Sequence, residues 1–134
     1  MIVHGDFETR STVDLKECGL DIYAKHSSTD IWCFAWAIGD SEPEVWCPGN
    51  PIPEFMRPST FKTVVFIAHN ANFELAIWNR IATIRYGWPR LIPEQVRCTM
   101  AMAYAMALPG SLENAAAALG LEQQKDQADR KSVV

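Results

Sequence analysis

The chain has 134 residues, 49% hydrophobic and 10% aromatic, with 12 Lys and Arg against 16 Asp and Glu for a formal net charge of -4. That is enough apolar material for one packed core, too much for a disordered segment and too little chain for two cores. The acidic balance excludes a general cationic field that would draw the surface onto nucleic acid. Contact with a phosphate backbone would have to be local, through bound cations, a few Arg side chains or an attached larger protein.

Ile2 to Phe7 reads as a short strand, and Ser11-Thr12-Val13-Asp14-Leu15 offers a cap before a brief helix that should stop at Gly19. Ile31-Trp32-Cys33-Phe34-Ala35-Trp36-Ala37-Ile38 is the clearest strand. Its large residues Trp32, Phe34, Trp36 and Ile38 fall on one pleat face and small ones mainly on the other, which predicts a strand covered on both sides. Gly39-Asp40-Ser41 turns it back into Glu44-Val45-Trp46-Cys47 as an antiparallel hairpin. Three prolines, Pro48, Pro51 and Pro53, mark an irregular connection with one helical turn near Glu54-Phe55-Met56, and Thr63 to Ala68 is another buried strand.

A helix is predicted over Ala71 to Tyr86, with Phe73, Ile77, Ile81 and Ile84 on its apolar face and Gly87-Trp88-Pro89 as its end. Val96-Arg97-Cys98 is a short last strand. Thr99 to Leu108 reads as a helix broken by Pro109-Gly110-Ser111, ahead of a capped helix from Leu112 to Leu119. Three early strands followed by strand and helix in alternation predict a mixed α/β sheet flanked by helices. The segment 123–134 is a polar tail.

The four cysteines, Cys18, Cys33, Cys47 and Cys98, contain no CxxC pair, which argues against structural zinc or a redox motif; they read as reduced thiols. No signal peptide is visible, since Met1-Ile2-Val3 meets Asp6 almost at once, and the apolar run from Ile31 to Gly39 is too short to span a bilayer. A cytoplasmic location, without membrane partners, is expected.

Two short acidic signatures carry the chemistry: Gly5-Asp6-Phe7-Glu8-Thr9 and His69-Asn70-Ala71-Asn72-Phe73-Glu74. Asp6 and Glu8 sit two apart at a strand end, so the pleat turns both carboxylates to one face. Glu74, on a helix directly after another strand, could complete an oxygen cage for a hard divalent cation. The plain reading competes at each position. An acidic pair at a strand mouth is usually just solvated, Asn70 fits a helix cap, Phe73 a core residue, and Glu74 a first-turn acid favoured by the helix dipole. His69 reads as a structural hydrogen-bonding residue, and His4 and His26 carry no assignment.

Asp6-Phe7-Glu8-Thr9 resembles the first motif (D-x-E), and Asn70 to Glu74 the second (N-x-x-F-D/E), of the DnaQ-like, or DEDD, 3'-5' exonucleases on a ribonuclease H-like fold. Tyr23 to Ile31, the stretch from Asp6 to Asp14, and Ser111-Leu112-Glu113-Asn114 with Leu119-Gly120-Leu121 look like the proofreading domain of phage-type family A DNA polymerases. The resemblance implies a ribonuclease H-like mixed sheet of about five strands over residues 1–122. It also implies two Mg2+ or Mn2+ ions, about 3.5 to 4 Å apart, held by Asp6, Glu8 and Glu74 for in-line hydrolysis of DNA phosphodiesters. Phe7, Thr9, Arg10, Asn70 and Phe73 would lie near the substrate, a single-stranded or frayed DNA 3' end. A polymerase domain or second subunit is the implied protein partner.

The family's third motif, a Tyr or His followed by an Asp, has no counterpart. After Tyr104 there is neither Tyr nor His, and Asp126 and Asp129 fall in the polar tail. The sequence is read as stopping before that motif, by truncation or because the natural protein is short. Loss of the group that deprotonates water would slow the reaction by about two to four orders of magnitude, so the chain alone is expected to be weakly active. The rival reading is a noncatalytic ribonuclease H-like module that binds nucleic acid or protein. The same fold hosts ribonucleases, so only the polymerase-like flanks favour DNA over RNA.

Overall fold

A computed structural model describes residues 1–121. The tail 123–134, with Asp126 and Asp129, lies outside the described residues. Strand β1 (Ile2–Arg10) runs through the middle of the sheet and is longer than the sequence predicts. It pairs antiparallel with β2 (Asp30–Ile38), which in turn pairs antiparallel with β3 (Glu44–Trp46). On its other side β1 pairs in parallel with β4 (Val65–Ala68), and β4 with β5 (Val96–Cys98). The order β3-β2-β1-β4-β5 is the expected mixed, five-stranded α/β sheet, consistent with a ribonuclease H-like arrangement.

The core lies under one face of this sheet. Val3, Phe7, Phe34 and Phe66 bury their side chains there against Trp78, Ile81, Trp88 and Leu91. Gly5 stands between Val3 and Phe7 on that face, and a Cβ in its place would come within 2.5 Å of Phe66 and 2.6 Å of Phe34. The glycine of the first acidic signature thus lets two rings pass beneath β1.

Helices α1 (Leu15–Lys25) and α3 (Ala71–Ile77) pack on each other and on the core side. Asp14 caps α1 by accepting from the Lys16 N–H. Gly19 does not end the helix as the sequence suggests. It adopts φ 82°, ψ 163°, kinking the chain, and the helix resumes to Lys25. A short α2 (Pro58–Phe61), absent from the sequence reading, precedes β4.

Two other expectations are corrected. Trp32 is not on the covered face but 57% exposed. The β1–β2 register runs Glu8 to Cys33 and then Thr9 to Ile31, so Trp32 sits in a bulge, which switches pleat parity and turns Ile31 inward in its place. Nor is β2 covered on both sides, since Cys33, Ala35 and Ala37 on its second face are only half-buried. Helix α3 continues through a π-helical turn, Trp78–Ala82, into α4 (Thr83–Tyr86). The wider turn shifts the helical phase, so Ile84 points outward, 75% exposed.

Helix α5 (Thr99–Ala105) follows β5, and α6 (Leu112–Ala118) is capped by Ser111, whose hydroxyl accepts from the Asn114 N–H at 3.1 Å. No described helix is long and apolar enough to cross a membrane.

Candidate functional site

Strand β1 outruns its parallel neighbour. β4 pairs only with Ile2, Val3 and His4, so from Gly5 onward the β4-facing edge of β1 has no strand beside it. The chain leaving β4 turns through Asn70, in the left-handed region at φ 64°, ψ 59°, and starts α3 at once. Asn70 occupies the cap position, but its side chain makes no capping hydrogen bond. Its contribution is the tight left-handed turn, a conformation Asn tolerates.

Because α3 starts there, its first turn lies beside the free edge of β1. Ala71, Glu74, Ile77, Trp78 and Ile81 form the buried stripe. Glu74, only 3% exposed, accepts the Phe7 N–H at 3.0 Å through Oε2 and so satisfies a backbone donor that β4 leaves unpaired. Its carboxyl group also hydrogen-bonds the Asp6 side chain.

Burial, the negative charge of Asp6 and the hydrogen bond to it push the Glu74 carboxyl up to about 9, against the lowering effect of the Phe7 N–H; Glu8 adds a smaller repulsion. So high a value favours the protonated form of Glu74 at neutral pH, and one proton held between the two carboxyl groups relieves their repulsion. Asp6 and Glu74 are thus brought together from distant parts of the chain, and the third carboxylate, Glu8, stands two residues beyond Asp6 on the same strand. Glu8 and Asp6 also share a face with Cys33 of β2, whose thiol is pushed up by burial first, then by Cys47, Glu8 and Asp6. Among the described residues, no three His, Cys, Asp or Glu side chains group closely enough to hold a metal ion.

Beside Glu8 a groove of about 590 Å³ is lined by Phe7, Thr9, Leu15, Lys16, Tyr23 and Phe73, among others. Thr9 and Tyr23 share a hydroxyl–hydroxyl hydrogen bond of 2.7 Å, and the Tyr23 and Phe73 rings lie 6.3 Å apart. Phe73 is half-buried at the groove wall. Phe7 reaches the groove but spends most of its ring in the core, 4.5 Å from Phe34 and 5.7 Å from Trp88. Arg10 is exposed and stands 3.8 Å from Asp30.

Sequence reading did not single out Leu15, Lys16 or Tyr23 for this groove. Tyr23 lay within a family-like stretch, whereas no local pattern marks Lys16. His69 lies in a different set of contacts. Its Nε2 donates to the Gly110 carbonyl at 2.6 Å and its Nδ1 pairs with the Thr99 hydroxyl at 2.8 Å, tying α3, α5 and α6 together at their junctions.

No protein-family model matches the sequence. The chain is 35% identical over 128 residues to a DNA polymerase of Bacillus phage SP02, an alignment that takes in 93% of this chain and 19% of the polymerase. It thus spans less than a fifth of the length of that curated relative, and it is similar to one segment of a phage DNA polymerase.

Proposed function

We propose that the chain is a proofreading-type 3'-5' exonuclease domain whose Asp6, Glu8 and Glu74 hold divalent cations, Mg2+ or Mn2+. One observation carries this reading: Glu74 is buried against the free edge of β1 with its carboxyl group on Asp6. A fold seldom buries an acid beside a second one unless something offsets the repulsion. Here a shared proton does so, and a hard cation with oxygen ligands can take its place. The donor chemistry suits that class of metal, being all carboxylate oxygens, but among the described residues the three do not stand as a ready-made three-ligand group, so the cations would have to draw them together.

When bound, such cations supply Lewis-acid polarisation of the phosphodiester and charge stabilisation during in-line displacement. The chain's own residues then have separable tasks. Asp6 and Glu74 give up their shared proton, and Glu74 keeps its orientation through the Phe7 N–H. Phe73 and Tyr23 offer ring faces to a terminal base, Thr9 and Tyr23 offer hydroxyls, and Lys16 offers a cation to a phosphate. The similarity to a phage DNA polymerase supports DNA as the substrate and a polymerase as the larger setting.

His69 is ill placed as the water-activating base, since both ring nitrogens are engaged. That role belongs to the absent third motif. Digestion of end-labelled single-stranded DNA with Mn2+ or Mg2+ tests the reading on three forms: the chain, Asp6→Ala, and a fusion carrying a third-motif helix. The expected result is cation-dependent shortening from the 3' end, faster in the fusion by about two to four orders of magnitude and absent in Asp6→Ala. Should no form cut while DNA binding persists, the noncatalytic module is the better description.

A further inference from the structure

Cys33 and Cys47 share no sequence motif, but Cys33 lies on β2 beside the point where Cys47 leaves β3. In an antiparallel ladder, successive residues turn their N–H and C=O groups alternately toward the partner strand and away from it. The Phe7 N–H goes to Glu74 and the Met1 C=O accepts from Val65, so the odd-numbered residues of β1 face away from β2. Phe7 and Phe34 are therefore a non-hydrogen-bonded pair, and Phe34 directs its own backbone groups to β3, where Trp46 is its partner.

Extended one residue beyond the end of β3, the same register would set Cys33 opposite Cys47 at a non-hydrogen-bonded position of the alternation, and the two thiols are close enough that Cys47 raises the Cys33 thiol. The Cys47 N–H agrees with this, being donated to Asn50 Oδ1 at 2.9 Å instead of to β2. In such pairs the Cα atoms lie about 4.5 Å apart and the side chains approach most closely. That spacing falls within the range that disulfides span, about 4.4 to 6.8 Å. Cys47 is exposed and Cys33 half-buried, and both are free thiols.

We propose that Cys33 and Cys47 form a reversible oxidation site, converted by a small-molecule disulfide into a cross-strand disulfide that staples the three-residue edge strand β3 to β2. The exposed Cys47 thiolate attacks one sulfur of oxidised glutathione, forming a mixed disulfide and expelling one glutathione thiolate. Cys33, as thiolate, then attacks the Cys47 sulfur and expels the second. The two protons lost by the cysteines go to the two glutathiones, so two protein thiols are oxidised as one disulfide is reduced.

The test treats the whole chain with oxidised glutathione, blocks remaining thiols by alkylation, and maps peptides without reduction. The expected result is a linked Cys33–Cys47 peptide, reversed by dithiothreitol, and a melting temperature about 5 to 10 °C above the reduced protein. Cys33→Ser should halt at a mixed disulfide on Cys47, with no such rise. Recovery of Cys33 and Cys47 unlinked from the wild type, either alkylated or with Cys47 held as a stable glutathione adduct, would overturn the site. A linked peptide without a change in melting would overturn the staple.

Discussion

Glu74→Gln is expected to abolish a fall in stability that the wild-type chain shows between about pH 5 and pH 9 in metal-free buffer. The folded protein holds the Glu74 proton up to about 9, whereas the ordinary value is 4.5. Between those limits the native state binds one proton more than the unfolded chain, so unfolding releases a proton and becomes easier as pH rises. The contribution is fully present below the unfolded pKa and lost as pH climbs through the folded one, with a slope on the order of 1 kcal/mol per pH unit.

Gln reproduces the protonated acid. Its carbonyl can accept the Phe7 N–H and its amide can donate to Asp6, so both contacts survive without a titrating group. Urea unfolding at pH 5, 7 and 9 in chelator checks this, and parallel slopes for the two proteins would refute the protonated Glu74. A divalent cation should reverse the wild-type trend, stabilising more at pH 9 than at pH 5, because it competes with the proton that holds the two carboxyl groups together.

Trp78→Ala should be the costliest single truncation in the core, lowering stability by about 3 to 5 kcal/mol. Trp78 is fully buried, and its indole lies within 6.1 Å of the rings of Phe7, Phe34, Phe61, Phe66 and Trp88. Its Nε1 donates to the Pro89 carbonyl at 2.7 Å, closing the chain that follows α4 over the core. Truncation opens a cavity at the centre of this ring cluster and removes that donor. The effect reaches the carboxylates, since Phe7 lies between Asp6 and Glu8 and rests on Trp78. Denaturant unfolding measures the loss, and a cost below about 1 kcal/mol would mean that the cluster repacks freely.

The sheet was largely legible because its signals are local. Apolar runs gave β1, β2, β4 and β5 their places, Gly39-Asp40-Ser41 marked the hairpin, and pleat parity put Asp6 and Glu8 on one face. What could not be read depended on one inserted residue or one left-handed turn. The bulge at Trp32 leaves no trace in an alternating pattern, and the π turn at Trp78–Ala82 silently moves Ile84 from the predicted apolar stripe to solvent. Gly19 looked like a stop because the same glycine geometry can end a helix or kink it.

Burial of Glu74 was hidden for another reason: a carboxylate in a first helical turn is well explained by the helix dipole and needs no partner. The signal was its spacing. Ala71, Glu74, Trp78 and Ile81 fall on one helical face, and an acid on an otherwise apolar stripe needs either a proton or a cation. The proposed approach of Cys33 to Cys47 was unreadable for lack of register, which the ladder of β2 with β3 supplies up to Trp46.

Calorimetric titration of Mn2+ into the wild-type chain, Asp6→Ala and Glu74→Gln at pH 8 tests the carboxylate site most directly. The expected result is saturable uptake by the wild type accompanied by release of a proton, with uptake lost in Asp6→Ala and proton release lost in Glu74→Gln. No saturable uptake by the wild type, or uptake that Asp6→Ala leaves unchanged, would contradict a cation site built from Asp6, Glu8 and Glu74.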